Sequence, residues 1–96
     1  MPKTITGTLP VGVLYKDELH TEFELRRATV RDNLDILSGP DKDKAAADNN
    51  YAAVCIWAKR IVRLGNIPAD AITPELVLDM DLEDFGALET AARQFP

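Results

Sequence analysis

One stretch, Asn50–Gly65 (NYAAVCIWAKRIVRLG), constrains the fold most, because it is long enough and rich enough in apolar residues to form the central helix of a core. At 100° per residue its large apolar side chains fall on one side of such a helix: Val54, Trp57, Ile61 and Leu64. We therefore predict a central helix over residues 49–65. Cys55 lies on the same wide apolar face and is predicted to be a small buried residue.

A narrow basic strip occupies the rest of this helix. Lys59, Arg60 and Arg63 lie within about a quarter-turn of one another, and Ile56 sits among them without an evident packing partner. An apolar residue flanked by cations is typical of an interface, so these four residues are the candidate partner-binding site. Two alternatives stay open: the strip is solvated or pairs with acidic residues of segment 66–96, or it meets an acidic partner.

Length and charge limit the classes of protein. The 96 residues predict a single domain, 1–96, and the net charge of −5 argues against binding nucleic acid or an anionic membrane. No apolar run approaches the ~18 residues that span a bilayer, so we expect a cytoplasmic protein. Charge is unevenly spread, because residues 50–65 carry three bases and no acid, whereas residues 66–96 carry seven acids and one base.

The first 28 residues are predicted to form an antiparallel β-ribbon. Segment 3–9 is rich in threonine and β-branched residues, and segment 20–27 alternates apolar with charged side chains. Residues 16–18 are the expected turn between the two strands. Pro10 would have to lie at a sheet edge or a bulge, since it cannot donate a ladder hydrogen bond.

The remaining segments predict helices and one loop. Thr29 is a cap for a short helix over residues 29–38, and the stripe Val30, Leu34 and Leu37 is expected to be its buried face. Segment 39–48 has mixed charges and no large apolar residue, which predicts a mobile loop. Thr73 and Asp81 are capping residues for C-terminal helices within 73–95. The predicted fold class is α+β, with the N-terminal ribbon packed against three or four helices.

The sequence offers little for catalysis, for a cofactor or for a metal. His20 has no partner at the spacing of a catalytic triad and is expected to be a surface residue. The pair Asp81 and Asp84 is expected to lie on a solvated helix face. Segment 41–46 starts like a calcium loop but has alanine where a ligand and a glycine are needed. We therefore predict no enzyme activity, no cofactor and no metal site.

Three segments together resemble a known family. They are Leu25–Asp32 (LRRATVRD), Ala58–Gly65 (AKRIVRLG) and Ile72–Phe85 (ITPELVLDMDLEDF). Their order and spacing resemble the tail assembly chaperones of Mu-like and P2-like tailed phages and prophages. The resemblance implies a cytoplasmic protein of the bacterial host that binds the tape measure protein, helps recruit tail tube subunits and is absent from the finished virion. In many such proteins a longer form arises by translational frameshifting.

Two rival functions belong to other classes. One is a structural minor tail protein or adaptor that is retained in the virion, and the other is a small acidic regulator that occupies a basic site on another protein. Particle composition separates the first rival from a chaperone, and gene neighbourhood separates the second. The oligomeric state and the client segment are not fixed by the sequence.

Overall fold

A three-stranded antiparallel sheet forms one layer of the protein. The computed structural model describes residues 3–95, and the strands are β1, Thr4–Tyr15; β2, Glu18–Arg26; and β3, Ile61–Leu64. Their order across the sheet is β1-β2-β3, so β2 is central. Residues 1, 2 and 96 of the predicted domain lie outside the described residues.

The predicted β-ribbon is confirmed in both strands and in its turn. β1 pairs with β2 in antiparallel register, and the connecting residues Lys16 and Asp17 both have positive φ, 49° and 65°. Two consecutive positive φ values define the tight hairpin turn that matches the twist of the strands. Pro10 lies where the register shifts between Thr8 and Val13 on an edge strand, as its missing amide hydrogen requires.

The predicted central helix is too long. Helix α3 spans Asn49–Arg60, and the next four residues, Ile61–Leu64, form β3 against β2. The β-branched pair Ile61 and Val62 favours an extended backbone, and pairing with β2 buries Ile61 and Leu64 in the sheet core. The correction divides the basic strip, because Arg63 lies on the sheet while Lys59 and Arg60 remain on the helix.

Five α-helices complete the described chain, and the predicted α+β class is confirmed. Besides α3 they are α1, Val30–Ser38; α2, Lys42–Ala47; α4, Pro74–Leu78; and α5, Leu82–Ala92, with a short 3-10 helix at Ala69–Ala71. Thr29, Thr73 and Asp81 cap α1, α4 and α5 as predicted, since each side chain accepts a hydrogen bond from a first-turn amide.

Segment 39–48 is not the loop that its composition predicts, because α2 occupies most of it. Three consecutive alanines favour a helix, and Ala45 is buried in a small cluster with Ile36, Tyr51 and Cys55. The small side chain of Ala45 lets α2 pack closely against this cluster. The predicted burial of Cys55 is confirmed.

The main core lies between one face of the sheet and the helices. Its least exposed apolar side chains come from all three strands and from α5: Leu9, Phe23, Leu25, Leu64 and Leu88. On the other face of the sheet, Thr6, Thr8 and Glu22 are exposed. Trp57 of α3 is half-buried and packs edge-to-face on Phe85 of α5, with ring centroids 5.5 Å apart. The helices therefore cover one face of the sheet and leave the other to solvent.

Candidate protein-binding site

The outer face of α1 is apolar and exposed, contrary to the predicted orientation. Val30, Leu34 and Leu37 have exposed fractions of 78%, 57% and 48%, and they form what we call the α1 stripe. The buried residues of α1 are instead Asp32 and Ile36. The helix periodicity identified the stripe correctly, but its assignment to the core was wrong.

An ion pair with the sheet explains this orientation. The guanidinium of Arg26, at the end of β2, donates to both carboxylate oxygens of Asp32 at 2.8 and 2.7 Å. Asp32 also completes a capping box, since its carboxylate accepts from the Thr29 amide and its own amide donates to the Thr29 hydroxyl. These contacts turn Asp32 toward the sheet, and the stripe then points away from it.

The same contacts set the protonation of the pair. Hydrogen bonding to Arg26 is the main reason that the pKa of Asp32 is lowered to about 2. The partner shifts in the matching direction, because Asp32 raises the pKa of Arg26. Both groups therefore stay charged near neutral pH, and the bidentate geometry holds α1 against the sheet.

A cleft of about 620 Å³ runs beside α1. Its floor is apolar and comes from α1, α3, β3 and the segment before α4, with Ile36, Ala58, Ile61 and Ile72 among its residues. Its rim is charged and includes Arg31, Asp35, Lys59 and Asp70. Arg31 and Asp35 also flank the α1 stripe on the helix, so the stripe and the cleft share one wall.

The residues of the predicted basic strip lie in different surroundings. Lys59 is exposed on the rim of the cleft. Ile56 is half-buried and packs against the small cluster of Ile36, Ala45, Tyr51 and Cys55, so it has an internal partner that the sequence did not reveal. The structure thus brings Lys59 to the cleft and places Ile56 at the edge of a core cluster.

Arg60 makes its contacts within the protein. Its Nε donates to the carbonyl oxygen of Arg26 at 3.0 Å, and its guanidinium lies 4.5 Å from the centroid of the Trp57 ring and 5.8 Å from that of Phe95. Burial, followed by the nearby charges of Arg26 and Arg27, lowers the pKa of Arg60. Arg60 therefore joins α3 to the end of β2 and to the C-terminal segment.

Arg63 pairs across the sheet rather than with the acidic segment 66–96. Its Nε lies 3.7 Å from a carboxylate oxygen of Glu24, the residue opposite it on β2. Both side chains belong to the open face of the sheet, where an ion pair of this length is screened by water.

Two polar residues expected at the surface are buried. His20 lies against Gly65, whose positive φ and lack of a Cβ allow the close approach, and its Nδ1 accepts a hydrogen bond from the Asn66 amide at 3.1 Å. Asp84 is fully buried, and its two carboxylate oxygens accept from the amides of Val11 and Gly12 at 2.8 and 2.9 Å. Neither partner is near in sequence, so no local signal could have revealed these bonds.

The described residues contain neither a group of metal ligands nor a helix that could span a membrane. Among residues 3–95, no group of three or more His, Cys, Asp or Glu side chains is arranged to hold a metal ion. In the same part of the chain, none of the helices has both the length and the apolar character to cross a membrane.

An exposed apolar helix face beside a cleft with a charged rim is typical of a protein-binding domain. The comparison with protein families gives the particular class: this chain belongs to the phage tail assembly chaperone family, whose model, described as "Phage tail assembly chaperone proteins, E, or 41 or 14", matches residues 6–96. The family indicated by the three sequence segments is thereby confirmed. No curated protein and no solved structure shows a significant match to the chain.

Proposed function

We propose that this chaperone binds the tape measure protein during tail assembly, and that the α1 stripe holds an amphipathic helix of that client. The observation that carries the proposal is the outward orientation of Val30, Leu34 and Leu37, three large apolar side chains on one face of a helix. An amphipathic helix of a client would cover such a face with side chains at matching helical spacing.

The size of the α1 stripe suits a temporary complex. The stripe has three large apolar side chains, whereas a stable interface uses about 20–30 residues on each partner. An isolated pair of stripes from two copies would therefore associate weakly. A chaperone must release its client when the tail is built. A modest apolar contact with the client, supplemented by charge, allows this release.

The cleft supplies the charged part of the contact. Lys59 and Arg31 both line the cleft, and both are exposed. We propose that Lys59 meets an acidic residue of the client helix. The partner-binding role predicted for Ile56, Arg60 and Arg63 remains a proposal, and the internal contacts of these three residues make stability the first property to measure in their variants.

The cellular setting of the proposal follows from the family. A tail assembly chaperone acts where tails are built, which we propose is the cytoplasm of the bacterial host. Recruitment of tail tube subunits would be a further task of the same complex. The rival adaptor function predicts that the chain stays in the virion, so mass spectrometry of purified particles separates the two functions.

The first prediction concerns the α1 stripe. We expect Leu34→Glu to lower the soluble fraction of the coexpressed tape measure protein by at least about tenfold, since a buried charge in a small apolar contact costs more than the contact gains. The thermal midpoint of the chaperone alone should stay the same, because Leu34 is exposed. The measurement is the amount of client in the supernatant, compared with wild type at equal chaperone concentration.

Leu82→Glu is the matched control, because Leu82 is an exposed leucine at the start of α5 and lies outside the α1 stripe. Both variants add one negative charge. If Leu82→Glu impairs the client as strongly as Leu34→Glu, the loss comes from charge and not from the stripe, and the proposed site is wrong.

A second prediction separates the members of the basic strip. We expect Lys59→Glu to weaken client binding severalfold at low salt without changing the thermal midpoint, because Lys59 is exposed on the cleft rim. Arg63→Glu, which breaks a solvated pair on the open sheet face, should leave client binding closer to wild type. Equal losses for the two variants would contradict the assignment of Lys59 to the client contact.

A further inference from the structure

The end of the β1-β2 hairpin carries a second apolar surface, away from the α1 stripe. Leu14 and Leu19 face each other across the two strands, and their exposed fractions are 68% and 60%. The tight turn at Lys16 and Asp17 fixes this register, since two positive φ values leave the hairpin little freedom to slip. The two leucines are therefore presented side by side on a rigid support.

A small groove borders Leu14, the neighbour of Leu19 across the strands. It has a volume of about 210 Å³ and lies between β1 and the end of α4, with Leu14, Leu76, Asp79 and Met80 among its lining residues. Leu76 and Met80 are half-buried and pack against the main core. This space is of the size of one large apolar side chain, and methionine adapts to the shape of what fills it. We call Leu14, Leu19 and this groove the hairpin surface.

The charges around the hairpin surface are mainly negative. Asp17 is exposed at the turn, and Asp79 is exposed on the wall of the groove. Tyr15 and Glu18 are on the opposite face of the hairpin, because side chains alternate along a strand. The amine of Lys16 lies near that face, 5.7 Å from the centroid of the Tyr15 ring. The rim of the cleft beside α1 differs, because it carries the bases Arg31 and Lys59 together with the acids Asp35 and Asp70. The hairpin surface therefore favours a basic partner more strongly than the cleft does.

We propose that the hairpin surface binds a basic amphipathic helix of a second protein. One apolar side chain of that helix would enter the groove between Leu14 and Met80, and its lysines or arginines would face Asp79 on the groove wall and Asp17 at the turn. An acidic rim attracts a basic partner and repels an acidic one, so charge selects the occupant. The inference goes beyond the proposed client contact, since it gives the chaperone a separate site for another component.

The test uses the full chain and a labelled synthetic peptide of leucine and lysine, about five helical turns long, with the leucines on one face. We expect binding in fluorescence anisotropy, and we expect the double variant Leu14→Thr/Leu19→Thr to bind at least about tenfold more weakly. Threonine keeps the strand propensity and adds no charge. Asp79→Asn should weaken binding severalfold, and by less at high salt.

Three controls decide the outcome. Leu34→Gln removes an apolar side chain from the α1 stripe and should leave peptide binding unchanged; an equal loss would mean that the peptide binds elsewhere. A peptide with glutamate in place of lysine should fail to bind, and equal affinity for both peptides would overturn the charge argument. Sedimentation of the chain alone should show no dimer that depends on Leu14 and Leu19, since such a dimer would make a second copy the occupant.

Failure of this proposal is distinct from failure of the client contact. Loss of peptide binding in the Leu14→Thr/Leu19→Thr variant tests only the hairpin surface, and solubility of the coexpressed tape measure protein tests the α1 stripe. If the hairpin variant also abolishes client solubility while Leu34→Glu does not, the client itself occupies the hairpin surface, and both assignments are overturned together.

Discussion

Asp84→Ala is expected to lower the free energy of unfolding by about 3 kcal/mol, because it removes a buried acceptor of two hydrogen bonds. The carboxylate of Asp84 holds the amides of Val11 and Gly12 at 2.8 and 2.9 Å. These amides lie at the register shift of the edge strand β1, where β2 does not pair with them. Asp84 thus takes the place of a neighbouring strand and fastens α5 to the sheet.

Urea unfolding followed by fluorescence of Trp57, the one tryptophan of the chain, measures this loss. Glu83→Ala is the control, since Glu83 precedes Asp84 on the same helix and is exposed. Asp84→Asn should be intermediate, because its amide keeps one acceptor but presents a donor to the second backbone amide. Equal stability of the Asp84→Ala and Glu83→Ala variants would refute the role given to Asp84.

Local signals of the sequence predicted much of the fold. The caps at Thr29, Thr73 and Asp81, the ribbon and its turn, and the bulge at Pro10 all depend on residues within a few positions of one another. Hydrogen bonding and backbone geometry act at this range, so one sequence suffices. Two of the family segments, Leu25–Asp32 and Ile72–Phe85, include these caps, whereas the third, Ala58–Gly65, includes a strand that was predicted as helix.

Errors arose where contacts between distant residues outweighed local preference. The segment Ile61–Leu64 continues a helical pattern, yet pairing with β2 makes it a strand. The helical period of the α1 stripe is compatible with a stripe that faces the core or one that faces solvent. The two hydrogen bonds from Arg26 to Asp32 turn the stripe toward solvent. Periodicity tells which residues share a face but not what that face meets.

The sequence predicted some residues of the candidate site, but not where the site lies on the fold. The sequence drew attention to Lys59, which lines the cleft, and to Ile56, which turned out to pack inside. The sequence analysis assigned the α1 stripe to the core. It therefore did not predict that this face of α1 is exposed and available to a partner. The only signal in the sequence was the apolar stripe Val30, Leu34 and Leu37 itself. Its exposure could be recognised only once the orientation of α1 was known.

The orientation of α1 gives the chaperone a defined response to acid. Asp32 has a pKa of about 2 in the folded protein, against an ordinary value of 3.8. Protonation therefore favours the unfolded state, and the contacts of ionised Asp32, chiefly the hydrogen bonds from Arg26 and then that from the Thr29 amide, add about 2 kcal/mol to the free energy of unfolding above about pH 4. This contribution is lost as the pH falls from about 4 to about 2.

Comparison of Asp32→Asn with wild type isolates this contribution from that of the other carboxylates. At pH 7 the variant should be less stable by about 2 kcal/mol, and the difference should shrink as the pH falls through about 2, where Asp32 of the folded wild type becomes protonated. Asp35→Asn, at an exposed position of the same helix, should follow the wild-type curve. Parallel curves for Asp32→Asn and wild type across this range would show that the Arg26 pair does not hold α1.

Because the same pair turns the α1 stripe outward, Asp32→Asn should also weaken client binding at pH 7 in molecules that remain folded. This effect connects the acid response of the fold to the proposed function.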